Sequence, residues 1–256
     1  IKGAVVFSGM ISSPYEKGGI GCPMKLADAE KWGTEFFKFM GVKTLDEARA
    51  IDPFKLLEKY DAFVATHPRM FTIEDGCFCT AAPTEKMLKS DCLDIPVMAG
   101  NTADEFLNFI GAEDEAELKQ KAEKLFGDSA EEFLAFAETK KTTGIAPEFP
   151  NGIFAAPVFG KRQKYAEISG IELTVKKVFE ARKASGTKNN FYYYRFNPDI
   201  PGPDNPGTFH SVDLWFFFET LAKCWRPFVG RHYDLSRQMC NYWANFIKTG
   251  NPNGQS

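Results

Sequence analysis

An α/β fold, with a mostly parallel central sheet flanked by helices and interrupted by a helical insertion, is predicted for this chain of 256 residues. Three observations carry the prediction. Residues 4–8 and 95–100 are short apolar runs closed by Gly9 and Gly100, the pattern of strands buried on both faces of a parallel sheet. Residues 190–196 have the aromatic density of a third strand. Between these runs lie segments with apolar residues at helical spacing, and alternation of strand and helix favours a single α/β unit over residues 1–256. A hydrophobic content of 44% and an aromatic content of 14% provide for a sizeable core.

The elements follow in order. After the first strand, residues 23–40 place Leu26, Ala29, Trp32, Phe36 and Met40 on one helical face, and Gly41 stands where a helix commonly stops. Thr44 and Glu47 have the spacing of a capping box, and Asp52 followed by Pro53 reads as an N-cap with a first-turn proline. Two further helices are expected there, the second carrying Leu56, Leu57 and Tyr60. Past the run at 95–100, the polar residues 101–105 sit at the carboxyl end of a strand, where chemistry gathers in open α/β sheets. Residues 113–126 keep Leu118, Ala122 and Leu125 on one face beneath many charges, and Ser129 with Glu132 signals the start of another helix bearing Phe133 and Phe136. These two make up the expected surface insertion. A helix over 168–182 ends near Gly186, and the Pro- and Gly-rich stretch 197–207 is a loop. The last helix runs from about Leu235 towards Gly250 and Pro252.

Composition narrows the function. Lys and Arg number 31 against 34 Asp and Glu, for a net charge of -3, so no basic surplus exists to grip phosphate backbones and nucleic acid is not expected as a partner. Apolar runs such as 214–218 fall far short of the roughly 20 residues of a membrane span. The six cysteines contain no C-x-x-C pair; only Cys77 and Cys79 invite a metal reading, and one C-x-C cannot complete a tetrahedral shell, so no metal site and no cofactor are expected. The chain opens at Ile1 without a charged-then-apolar leader; the expected localisation is cytoplasmic, with secretion as the alternative.

Three histidines are available for chemistry. His67, before Pro68, has the setting of a structural turn residue, and His232 lies at the approach to the last helix as a surface or capping residue. His210 sits on the far side of the 197–207 loop, the placement a general base needs if one ring nitrogen is to face a nucleophile while a carboxylate fixes the other. Asp104 and Glu105, read by themselves, also fit an acidic pair at a helix start.

The pattern Gly207-x-x-His210-x-x-Asp213-Leu214, followed by an aromatic run and the closing helix, resembles the C-terminal part of the type-B carboxylesterase and cholinesterase family. The family's stretch around its acid is similar to Pro96, Val97, Met98, Ala99, Gly100 and then Asp104 and Glu105 here. The segment Phe71 to Gly76 and the run ending in Ser8 and Gly9 extend the likeness along the chain. The resemblance implies the C-terminal portion of one α/β-hydrolase domain, with His210 as base, Glu105 as the acid that orients it, and a small-molecule ester as substrate. It also implies that the nucleophilic serine and the oxyanion hole come from an N-terminal segment or a separate chain, because no Gly-x-Ser-x-Gly occurs in this sequence.

Departures from the family pattern shape further expectations. Asp213 replaces a glutamate. Met10 stands where a serine often supports the acid and offers no strong hydrogen bond, so Glu105 is expected to lack that support. Phe106 replaces a glycine after the acid and, with Trp215 from the run 215–218, is the candidate wall of the substrate pocket, against the plainer reading of that run as core. Ser8 ends a buried strand rather than a strained strand-to-helix turn, so it is not read as a substitute nucleophile. A non-catalytic, esterase-like interaction domain is the alternative function.

Overall fold

The computed structural model describes residues 1–10, 22–105, 111–112, 114–136, 145–148, 158–162, 165–166, 170–204 and 206–254. In chain order the elements are β1 (Ala4–Phe7), β2 (Met24–Lys25), α1 (Leu26–Met40), α2 (Leu45–Arg49), α3 (Pro53–Val64), β3 (Ile73–Glu74), α4 (Pro83–Leu88), β4 (Val97–Thr102), β5 (Gly111–Ala112), α5 (Glu115–Phe126), α6 (Ala130–Phe136), β6 (Ile145–Glu148), β7 (Val158–Arg162), β8 (Tyr165–Ala166), α7 (Gly170–Ala184), β9 (Phe191–Phe196), α8 (Asp213–Phe217) and α9 (Gly230–Thr249). The three strands expected from the sequence form one parallel sheet in the order β1-β4-β9. Short pairs β2–β3, β5–β8 and β6–β7 lie outside it.

Helix ends follow their local chemistry. Gly41 closes α1 in the left-handed conformation, which costs a glycine nothing, at φ 79°. Thr44 accepts the Glu47 amide while Glu47 reaches back to the Thr44 amide, and Asp52 accepts the amides of Phe54 and Lys55 ahead of Pro53. A 3-10 turn, Gly127–Ser129, leads directly into α6, so that helix begins from a continuous turn.

The central strand is buried along its whole length, polar Asn101 and Thr102 included. Strand β4 starts at Val97 rather than Ile95 and runs two residues past Gly100, because its pairing with β9 continues through Asn101–Arg195 and Thr102–Phe196. By contrast β1 is only half-buried, a correction to the expectation of burial on both faces: it pairs on one side with β4 and makes no other strand pairing among the described residues. Helix α7 covers one face through Ile171, Val175 and Val178 against Val97, Ala99 and Phe191. The other face carries an aromatic layer in which Phe196, Phe216 and Phe217 meet Met239 of α9. The α5–α6 insertion is more than a surface addition, since Leu118, Ala122 and Phe133 bury completely against Leu173 of α7 and Lys177 pairs with Glu132.

At Gly100 the close pairing of β4 with β9 allows no side chain, because a Cβ there would lie 2.2 Å from the Tyr194 carbonyl oxygen and 2.4 Å from its ring. Gly100→Ala is expected to force the two strands apart and lower stability by about 3 kcal/mol, the upper end for overpacking. A urea midpoint within a few tenths molar of wild type would show that the strands accommodate the methyl group.

Candidate active site

The carboxyl ends of all three parallel strands converge on one carboxylate. Glu105, three residues beyond β4, is 1% exposed. Its Oε1 accepts the Thr102 amide (3.0 Å), the Thr102 hydroxyl (2.9 Å) and the Ser8 hydroxyl (2.5 Å). Its Oε2 lies 2.6 Å from His210 Nδ1. Hydrogen bonds from these groups offset the cost of burying a carboxylate away from water.

Ser8 reaches Glu105 through a local departure from strand geometry. Its amide still follows the sheet, donating to the Gly100 carbonyl at 2.9 Å, but its φ of 44° turns the side chain inward. The expectation that Glu105 lacks support is therefore corrected. Ser8 and Thr102 supply it, whereas Met10 is buried in the apolar layer beneath α7. With its hydroxyl donated to Glu105, Ser8 is an orienting group.

The loop carrying His210 is fastened to the acid loop by Asp104. Asp104 Oδ2 accepts the Thr208 amide (2.8 Å) and hydroxyl (3.0 Å), and its own amide donates to the Thr208 carbonyl (3.1 Å). Asp104 also forms an isolated parallel bridge with Phe209. Gly207 and Ser211 have positive φ values of 62° and 70°, so His210 stands at the tip of a tight turn with its side chain 33% exposed while Glu105 beneath it is sealed.

A second buried carboxylate lies nearby. Asp213 is 1% exposed and accepts the Tyr194 hydroxyl at 3.1 Å. Burial, reinforced by the charge of Glu105, pushes its carboxyl up to about 6, against the Tyr194 hydrogen bond and the field of His210. Tyr194 in turn is driven far above the ordinary phenol range, first by burial and then by Asp213. Any positive charge formed on His210 thus faces two carboxyl groups.

The remaining sequence candidates separate cleanly. His67 stacks on Phe63 at 3.8 Å, and its Nδ1 is 3.0 Å from the Phe63 carbonyl oxygen, a structural role. His232 is buried rather than on the surface: its Nδ1 accepts the Val229 amide at the start of α9, which leaves Nε2 to donate to the Asp199 carbonyl at 3.2 Å. Trp215 packs edge-on to Phe209 and Phe228 as part of the aromatic layer. A cavity of about 910 Å³ beside β9 is lined by Phe217 and Tyr194 but not by Trp215, His210 or Glu105. Phe106 lies outside the described residues. Among the described residues no cluster of three or more His, Cys, Asp or Glu could hold a metal ion, and no helix is long and apolar enough to cross a membrane.

The model of the carboxylesterase family matches residues 1–256. Liver carboxylesterase 1 of Oryctolagus cuniculus is 27% identical over 198 residues, covering 72% of this chain and 34% of that protein. Carboxylesterase 4A of Bos taurus is 39% identical over 72 residues, 25% of this chain and 12% of the relative. Among solved structures, a thermophilic PNB esterase superposes with a TM-score of 0.59 at 17% identity, covering 98% of this chain and 49% of its own, which shows the α/β-hydrolase fold. The chain spans about a third or less of these curated relatives and about half of the solved structure.

The Asp213 environment sets a sign for pH dependence. The carboxyl ionises near 3.8 in the unfolded chain and near 6 in the folded one, so between those values the folded protein binds the proton more tightly. Stability from this group is greatest below pH 4, falls as pH rises to about 6, and is lower above by about 3 kcal/mol. Asp213→Asn, which keeps an acceptor for Tyr194, is expected to remove that fall. Urea midpoints at pH 4.5 and 7 should show the variant gaining on wild type as pH rises; parallel pH curves would mean that Asp213 carries no such penalty.

Proposed function

The chain belongs to the carboxylesterase family, and on that footing we propose that it provides the base and the orienting acid of a serine esterase acting on small-molecule carboxylic esters. The observation that carries the proposal is the 2.6 Å contact between His210 Nδ1 and a buried, hydrogen-bond-saturated Glu105 at the carboxyl ends of the sheet. A carboxylate on Nδ1 selects the tautomer whose Nε2 accepts a proton, and stabilises the imidazolium once that proton arrives.

The serine is assigned to a segment that precedes this chain in the protein or to a separate polypeptide, along with the amides of the oxyanion hole. In the first step the serine oxygen attacks the ester carbonyl carbon while its proton passes to His210 Nε2. The tetrahedral intermediate then expels the alcohol, which leaves with the proton from His210. Water attacks the acyl-enzyme in the second step, again giving its proton to His210, and the carboxylic acid departs as the serine is reprotonated. Glu105 holds the ring throughout, and Asp213 adds a second carboxyl group to the field that the imidazolium meets.

In the full-length protein, His210→Ala is expected to lower kcat for a short-chain p-nitrophenyl ester by roughly 10⁴-fold or more, and Glu105→Gln by roughly 10³- to 10⁴-fold, with the fold intact by circular dichroism. A fluorophosphonate probe should label a serine outside residues 1–256. Undiminished hydrolysis in His210→Ala would refute the assignment, and a folded protein that neither turns over esters nor takes up the probe would make this an interaction domain.

A further inference from the structure

The described residues of 197–207 include no regular secondary structure, yet the segment leads directly to His210, whose ring must stay within hydrogen-bond reach of Glu105. One end of the loop is tied by Asp104 at Thr208. Its middle is gripped by Arg226, in the segment between α8 and α9. Its Nη1 donates to the Pro201 carbonyl (3.0 Å) and to Asp204 Oδ1 (2.9 Å), and its Nη2 donates to Asp204 Oδ2 (2.8 Å), a bidentate fork. The same guanidinium lies 5.4 Å from the ring centre of Phe209, the residue before His210, and 4.5 Å from that of Trp225. Gly202 adopts a φ of 158°, and a Cβ there would sit 2.4 Å from both Arg226 Nη1 and Asp204 Oδ1, so the loop backbone closes directly over the fork.

We infer that Arg226 is a positioning residue for His210: forked onto Asp204 and laid against Phe209, it fixes the loop that keeps the imidazole aimed at Glu105. The inference rests on reading His210 as the base. Stability alone accounts poorly for the arrangement. The Arg226 side chain is 5% exposed, and its Nε is buried without a hydrogen-bond partner among the described residues. An ion pair whose acid is one-third exposed and whose cation keeps an unsatisfied donor is weak support for a fold. What it does supply is directional: three donated bonds and a flat cation against the ring beside His210 leave the loop one arrangement. Lysine would keep the charge and lose the fork.

The test uses the full-length protein with Arg226→Lys and Asp204→Asn, the latter at a side chain that is one-third exposed and so tolerant of change. Each variant is expected to lower kcat roughly tenfold to a hundredfold for a p-nitrophenyl ester with KM within about twofold, while the urea midpoint stays close to wild type. In parallel, the downfield proton resonance of the His210 Nδ1–H, identified by its loss in His210→Ala, should broaden or vanish in both variants as the ring loses its fixed partner. An unchanged kcat with an unchanged resonance overturns the inference, as does a lowered midpoint with both readouts preserved, which marks Arg226 as structural only. The resonance is read without substrate. If the wild type hydrolyses no ester, the functional reading fails while the resonance still decides whether Arg226 positions His210.

Discussion

A fully buried carboxylate has to be surrounded by donors, and the requirements of Glu105 organise this end of the molecule. Leaving an ionised carboxylate unsatisfied at 1% exposure would cost several kcal/mol, so the ends of β1 and β4 and the loop after β9 contribute to its satisfaction. Strand β1 ends in the inward-turned Ser8, β4 delivers both the amide and the hydroxyl of Thr102, and the loop after β9 brings His210. The left-handed backbones of Ser8 and Ser211 are local costs accepted where these groups converge.

Convergence of that kind needs a rigid platform. The close approach of β4 to β9 at Gly100 and Tyr194 brings the two strand ends together, and α7 and the aromatic layer clamp the sheet from opposite faces. The aromatic layer also reaches the site. Phe209 touches Trp215, Phe216 packs against Phe228, and Phe228 meets His232 beside the start of α9. The loop that presents His210 therefore rests on core residues, and His232 holds its Asp199 carbonyl.

Electrostatically, the site holds two carboxyl groups in contrasting settings. Glu105 is met by four donors, whereas Asp213 has the Tyr194 hydroxyl and an apolar surround, and its carboxyl rises to about 6. The contrast follows from placement. Glu105 lies where strand ends expose amides and hydroxyls, and Asp213 lies at the first turn of α8 inside the aromatic layer.

Much of this was legible in the linear chain, for reasons that are local. Thr44 with Glu47 and Asp52 with Pro53 specify helix starts through bonds spanning two to three residues, and Gly41 specifies a stop through its own backbone freedom. The three strands were readable because burial on a sheet demands apolar or aromatic runs, whereas His210 and Glu105 became candidates through the family resemblance, Glu105 by itself fitting an acidic pair at a helix start as well. Only the tertiary structure decided what surrounds them. Ser8 meets Glu105 across 97 residues, His210 across 105, and Arg226 meets Asp204 through a loop with no period to read. Position 10, where Met10 offers no strong hydrogen bond, was the place the family pattern gave for support of the acid, yet the support comes from the Ser8 hydroxyl while Met10 lies in the core. Sequence determined the candidates because capping, turns and burial act over a few residues; folding determined their partners because hydrogen bonds depend on distance and direction in space, which residues far apart in the chain acquire only when strand ends and loops are packed together.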